Sequence, residues 1–171
     1  VAVGVAGPWR CVAGGGHRRT DQPRVAAHGD YHEAQVLVDG GRVTGLLDVD
    51  TFGWGRRVDD YATMIGHLPT LALGRPEKAR IEAHASKLLA RFDREVDPVL
   101  LRLAVADVVG GMATGPFRVL EPRWREHTAA RVTLAERWLA SARTVEAKRI
   151  APIPENDLTS TSSGSHTGVA R

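Results

Sequence analysis

The feature that most constrains this chain is the tripeptide Asp39-Gly40-Gly41, set between the short apolar runs 36–38 and 43–49. Asp-Gly is among the strongest short hairpin signals, because both central residues of the favoured turn need positive φ. Antiparallel pairing around that turn brings Asp48 back opposite the segment 31–35. The polar residues before the first strand and the Asp ending the second therefore meet at the open end of one hairpin.

The rest of the chain reads as helices. One runs from Val58 to about His67 and stops near Pro69. Pro76 suits the first turn of a second, with Ile81, Ala85, Leu88 and Phe92 at helical spacing. Asp97-Pro98 reads as a cap and first turn, opening a third helix through Val109, before Gly110-Gly111. Pro122 opens a long fourth, with Thr128, Val132, Ala135 and Leu139 on one face and Trp124, Leu134 and Trp138 nearby. The resulting expectation is an α+β, helix-dominant fold. It divides into an irregular N-terminal segment at 1–27, a folded unit at 28–149 and a disordered tail at 150–171, rich in Pro, Ser, Thr and Gly.

Composition narrows the function classes. The 171 residues hold one domain with a real core. The formal charge is +3, with acidic and basic residues interleaved, so no basic stripe marks a nucleic-acid partner. Arg outnumbers Lys twenty to three, which reads as the codon bias of a GC-rich bacterial genome. Apolar runs are short and broken by Arg, Asp or Gly, so no membrane span is expected. Cys11 is the single cysteine. It excludes an internal disulfide and a multi-cysteine zinc site, and fits a reducing cytoplasm. Gly14-Gly15-Gly16 lacks the Gly-Lys-Ser/Thr of a phosphate loop.

The chemistry-bearing stretch is His28-Gly29-Asp30-Tyr31-His32-Glu33-Ala34-Gln35, followed across the hairpin by Asp48. In phosphoryl transfer a loop Asp accepts or orients the hydroxyl proton. An amide five residues later helps hold Mg²⁺, and a second Asp binds the metal that bridges the phosphates. Asp30, Gln35 and Asp48 stand in that order. A rival reading takes His28, Asp30 and His32 as zinc ligands. Gly29 argues against a helical His pair there, and only Asp48 adds a converging group.

The stretches HGDYHEAQ, LLDVD and GRRVDDYA resemble the pattern H-G-D-x-H-x-x-N, a hairpin with I-D-x, and G-D-P-x-x-D-L-A. That is the pattern of the aminoglycoside phosphotransferase family, which has a protein-kinase-like fold. The resemblance covers about 35 residues from His28 to Ala62. It implies a kinase-like C-terminal lobe whose small hairpin carries the catalytic loop. It also implies ATP as donor, Mg²⁺ as cofactor and a small-molecule hydroxyl as substrate. Asp30 then becomes the catalytic base, Asp48 and Gln35 the metal ligands, and Asp60 a structural Asp at a helix start.

Three departures stand out. Gln35 replaces Asn, moving the amide by roughly 1.5 Å, about one C–C bond. Arg56 and Arg57 replace Asp-Pro. The 27 residues before His28 contain no lysine, so the N-terminal lobe with its phosphate clamp is expected to be absent. A truncated, non-catalytic binding module is the alternative. Among the remaining candidates, His28 is expected to order the loop through a backbone hydrogen bond. Asp50 and Asp59 are expected to be solvated and Trp54 to plug a loop. Glu82, Asp93, Glu95 and Asp107 form either a solvated helix face or an acidic wall.

Overall fold

The computed structural model of the chain describes residues 22–150. Its first strand, β1 (Arg24–Ala27), lies inside the segment expected to be irregular. That expectation is corrected for these residues, while residues 1–21 lie outside the described part. The strand was hidden because its partner is distant in sequence: β1 pairs antiparallel with β4 (Gly53–Arg56), with Ala27 opposite Gly53 and Arg24 opposite Arg56.

Between them sits the expected hairpin, β2 (Val36–Asp39) and β3 (Arg42–Leu46), with a bulge at Leu37/Val38. Gly40 and Gly41 have φ of 54° and 77°. Two consecutive positive φ values are what a tight hairpin needs, and glycine adopts them without strain. The returning strand stops at Leu46 rather than Val49. Residues Val49–Thr51 instead form one 3₁₀ turn that swings the chain toward β4.

The described residues form five α-helices. They are α1 (Arg57–Ala72), α2 (Lys78–Phe92), α3 (Pro98–Met112), the short α4 (Gly115–Arg118) and the long α5 (Trp124–Ile150). Helix dominance with small antiparallel sheets matches the α+β expectation. α3 packs on both α1 and α5, so it lies at the centre. Val58, Ala62 and Ile65 of α1 and Leu101, Val105 and Val109 of α3 are buried at helical spacing. Ala85 and Phe92 complete the core from α2.

Three boundaries differ from expectation. α1 runs through Pro69 to Ala72 because Leu68 and Ala72 continue its buried stripe, which offsets the backbone bond that proline removes. α3 passes through Gly110 and Gly111, and α5 starts at Trp124, two residues beyond Pro122. Ile150, assigned to the tail, ends α5; residues 151–171 lie outside the described part. On α5 the core seam is Leu134, Ala135 and Trp138, while Val132 faces outward.

Asp97 caps α3 as expected. Its Oδ1 accepts from the N–H groups of Val99 (2.8 Å) and Leu100 (3.1 Å). Arg149 of α5 donates to Oδ2 at 2.9 Å. Arg102 ties three helices together. It donates to both Asp93 oxygens (2.7 and 2.8 Å), to the Pro98 carbonyl (2.8 Å) and to Ser141 of α5 (3.2 Å). By length and composition the stretch Pro98–Arg118 is apolar enough to cross a membrane, yet half of it is buried as the core of the bundle.

Candidate active site

The loop joining β1 to the 3₁₀ turn Glu33–Gln35 is held from three sides. Asp60, in the first turn of α1, accepts the His28 N–H on one oxygen (2.8 Å) and the Gly29 N–H on the other (2.9 Å). Thr51 donates its hydroxyl to the His28 carbonyl at 2.7 Å. His28 itself is buried, and its Nε2 lies 2.8 Å from the Leu47 carbonyl. A carbonyl only accepts, so Nε2 carries the proton. That leaves Nδ1 to accept from the Asp30 N–H at 3.4 Å. The expected loop-ordering role of His28 is therefore met. Asp60 is structural, as expected, but its partners are the loop amides, not those of its own helix.

Gly29 explains why this loop needs glycine. Its φ is +87°, and a Cβ would stand 2.9 Å from Thr51 Oγ1. Any other residue would be strained and would push away the hydroxyl that holds the His28 carbonyl.

The hairpin delivers its two expected ligands to one place. Leu47 N–H donates to the Gln35 carbonyl at 2.9 Å, and the Gln35 side-chain NH₂ donates to Asp48 Oδ2 at 3.2 Å. Asp48 is exposed and adopts a left-handed conformation with φ 53°. Such a conformation is sparsely populated outside glycine, and Asp tolerates it better than most residues. Asp30 is linked to this pair through His28, which takes the Asp30 N–H on one ring nitrogen and bonds Leu47, the neighbour of Asp48, with the other. The Asp30 carboxylate itself faces His32, with Oδ2 3.9 Å from Nε2.

His67 was not singled out in the sequence. It projects from α1, and its ring stacks on His32 at 4.2 Å between centroids. Burial, reinforced by His32, holds its pKa below the ordinary histidine value. A signal existed: His67 follows Asp60 by seven residues, two helical turns, so a helix that aims Asp60 at the loop aims His67 there too. Glu33 was also passed over. It approaches Nδ1 of both histidines, at 3.9 and 4.0 Å.

Several other expectations are corrected. His28 points to Leu47 and is no part of a His28–Asp30–His32 zinc set. The Asp59 side chain is 42% exposed, as expected, but also forms a bidentate pair with Arg56 (2.8 and 2.7 Å). Trp54 is 73% exposed, because among the described residues β4 pairs only with β1 and no other element covers that face. Asp93 is engaged by Arg102, and Glu95 accepts from Tyr61 and Arg57, so neither forms a free acidic wall. The Tyr61 pKa is raised, first by burial and then by the hydrogen bond to Glu95.

A helix-dominant α+β unit thus presents a clamped Asp loop beside a hairpin that ends in an Asp–amide pair. The phosphotransferase enzyme family model matches residues 15–95, a stretch that spans the loop, the hairpin, α1 and α2. The match supports an aminoglycoside phosphotransferase-like assignment for this stretch, in line with the motifs. Neither the curated proteins nor the solved structures give a match.

Proposed function

We propose that this chain carries the catalytic loop and metal-binding hairpin of a kinase-like C-terminal lobe, one that transfers phosphate from ATP to a small-molecule hydroxyl. The observation that carries the reading is the Gln35–Asp48 contact at the hairpin mouth. It joins the residues at the amide and second-Asp positions of the motif, beside a loop whose backbone is fixed by Asp60 and His28.

Asp30 accepts the proton of the substrate hydroxyl, or orients that hydroxyl for in-line attack. Asp60, Thr51 and Gly29 hold the loop so that its carboxylate need not be ordered at the moment of reaction. The Asp48 carboxylate and the Gln35 amide oxygen would hold Mg²⁺. The donor set fits, because both are oxygens and the exposed Asp48 leaves room for the waters that Mg²⁺ retains. When bound, Mg²⁺ would neutralise charge developing on the transferred phosphoryl group. The phosphate clamp is proposed to come from outside the residues described here.

The test is phosphate transfer from ATP to a panel of amino sugars and nucleoside-like alcohols, with and without added upstream coding sequence. Active protein should lose about 10²- to 10⁴-fold on Asp30→Ala, the range of a general base. Asp48→Ala should raise the Mg²⁺ requirement. Activity indifferent to Asp30→Ala would refute the mechanism. The second reading, a non-catalytic binding module, is favoured by the exposed apolar side chains Val38, Val43, Phe52 and Trp54 on the strands and their connection. Loop-intact protein that never transfers phosphate, in either form, would support it.

A further inference from the structure

We propose that Asp30, His32 and His67 form a binding site for a zinc-class divalent ion, separate from the Mg²⁺ ligands at Gln35 and Asp48. Each of the three offers one ligand atom, and those atoms lie within 4.8 Å of one another. Imidazole nitrogen plus carboxylate oxygen is a donor set suited to Zn²⁺ rather than to Mg²⁺, which prefers oxygen alone.

Two independent features point to an ion. The first is Glu33. Its Oε2 is buried and has no hydrogen-bond partner, yet it lies near Nδ1 of both His32 and His67, at 3.9 and 4.0 Å. Histidine ligands usually donate the proton on one ring nitrogen to a carboxylate while the other nitrogen binds the metal. Glu33 stands where its carboxylate could receive the His67 Nδ1 proton, while His32 Nδ1 is occupied by the Ala34 N–H, which it accepts at 3.4 Å. For His32, that leaves Nε2, the atom that faces Asp30 Oδ2 at 3.9 Å.

The second feature is the small movement required. Tetrahedral ligands about 2.1 Å from zinc stand about 3.4 Å apart, so the cluster must contract by roughly 1 to 1.5 Å. The two rings are stacked at 14°, which makes their in-plane lone pairs nearly parallel rather than convergent. One ring must turn. The His67 ring makes no hydrogen bond among the described residues that would resist this, and histidine χ2 is broad. Solvent would take the fourth position, since Asp30 is only partly covered.

The site stands on this geometry alone. One consequence rests on the phosphotransferase reading: an Asp30 carboxylate that ligates zinc cannot also accept a proton, so the ion would block transfer.

The experiment is direct titration of the full chain with Zn²⁺, followed by calorimetry, with Co²⁺ as a spectroscopic substitute. It is run in a Cys11→Ser background and in excess Mg²⁺. One tight ion and a strong, tetrahedral Co²⁺ visible band are expected. Glu33→Gln should weaken binding by about 10- to 100-fold. Asp30→Asn, His32→Gln and His67→Gln should each weaken it further, with helical circular dichroism unchanged. His84→Gln and His127→Gln should change nothing. No stoichiometric binding, an octahedral Co²⁺ spectrum, or unchanged affinity in both Asp30→Asn and His67→Gln would overturn the site. The readout is metal affinity, so it stands or falls apart from phosphate transfer.

Discussion

Asp60→Ala should unlatch the candidate catalytic loop without melting the helical core. The carboxylate takes two backbone N–H groups, from His28 at 2.8 Å and Gly29 at 2.9 Å. A hydrogen bond to a charged group contributes about 1.5–3 kcal/mol. The loop is partly open to water, which can replace the lost acceptor, so the lower end applies and the pair sums to about 3 kcal/mol. A tenfold change is about 1.4 kcal/mol, so the His28 and Gly29 amides should exchange with solvent hydrogen about 100-fold faster. Asp60→Asn keeps one acceptor but turns an NH₂ toward the second N–H, and should give about half the loss in free energy. The assay is native-state amide exchange read by NMR, with Leu101 and Val105 of α3 as core references. Those core amides should hold their rates. Unchanged exchange at His28 and Gly29, or acceleration spread evenly through α1 and α3, would refute the latch and return Asp60 to an ordinary first-turn residue.

Two further predictions concern the scaffold. Arg102→Ala leaves Asp93 without its bidentate partner in a largely covered position, and should cost about 3–5 kcal/mol in urea unfolding. Arg102→Met with Asp93→Leu should recover most of that loss, since no charge is then stranded. Asp97→Ala should cost about 1 kcal/mol through loss of the α3 cap. Burial pushes the Asp97 carboxyl up, but the Leu100 and Val99 N–H groups and Arg149 outweigh it and hold the pKa below the usual value. The folded state therefore keeps this group ionised at pH values where the unfolded chain has begun to protonate it. Its contribution is complete above about pH 4 and is lost as pH falls through the folded value. Wild type and Asp97→Ala should thus converge in stability on acidification, as read by urea midpoints from pH 7 downward.

What was legible in the sequence was whatever depends on neighbours in the chain. The Asp39-Gly40-Gly41 turn, the Asp97-Pro98 cap and the buried spacing of Ile81, Ala85, Leu88 and Phe92 are all local signals, and each has its expected counterpart in the structure. What was missed depends on partners far along the chain. β1 is only four residues long, and it is a strand only because Gly53–Arg56 lies beside it. Trp54 between two glycines suggests a buried plug, but its burial depends on a second layer that the described residues do not place over it. Pro69 is a reliable stop signal in isolation. Here the tertiary gain from burying Leu68 and Ala72 outweighs the lost backbone bond.

The candidate site shows the same division within a few residues. The order Asp30, Gln35, Asp48 was readable, and so was the hairpin that closes it. The extra methylene of Gln35 lets the amide span the hairpin mouth and bond Asp48. That bond engages the amide through its NH₂ and leaves its oxygen as the acceptor that the proposed Mg²⁺ site would use. His67 could not be found from the loop, because it belongs to α1. It becomes visible only by asking which other α1 residues share the face that carries Asp60. Asp60 holds the loop and His67 lies beside Asp30, so the two proposals above place two demands on that one carboxylate, as base and as ion ligand. Whichever it serves, the loop clamp is the same, so loss of Asp60 should impair both.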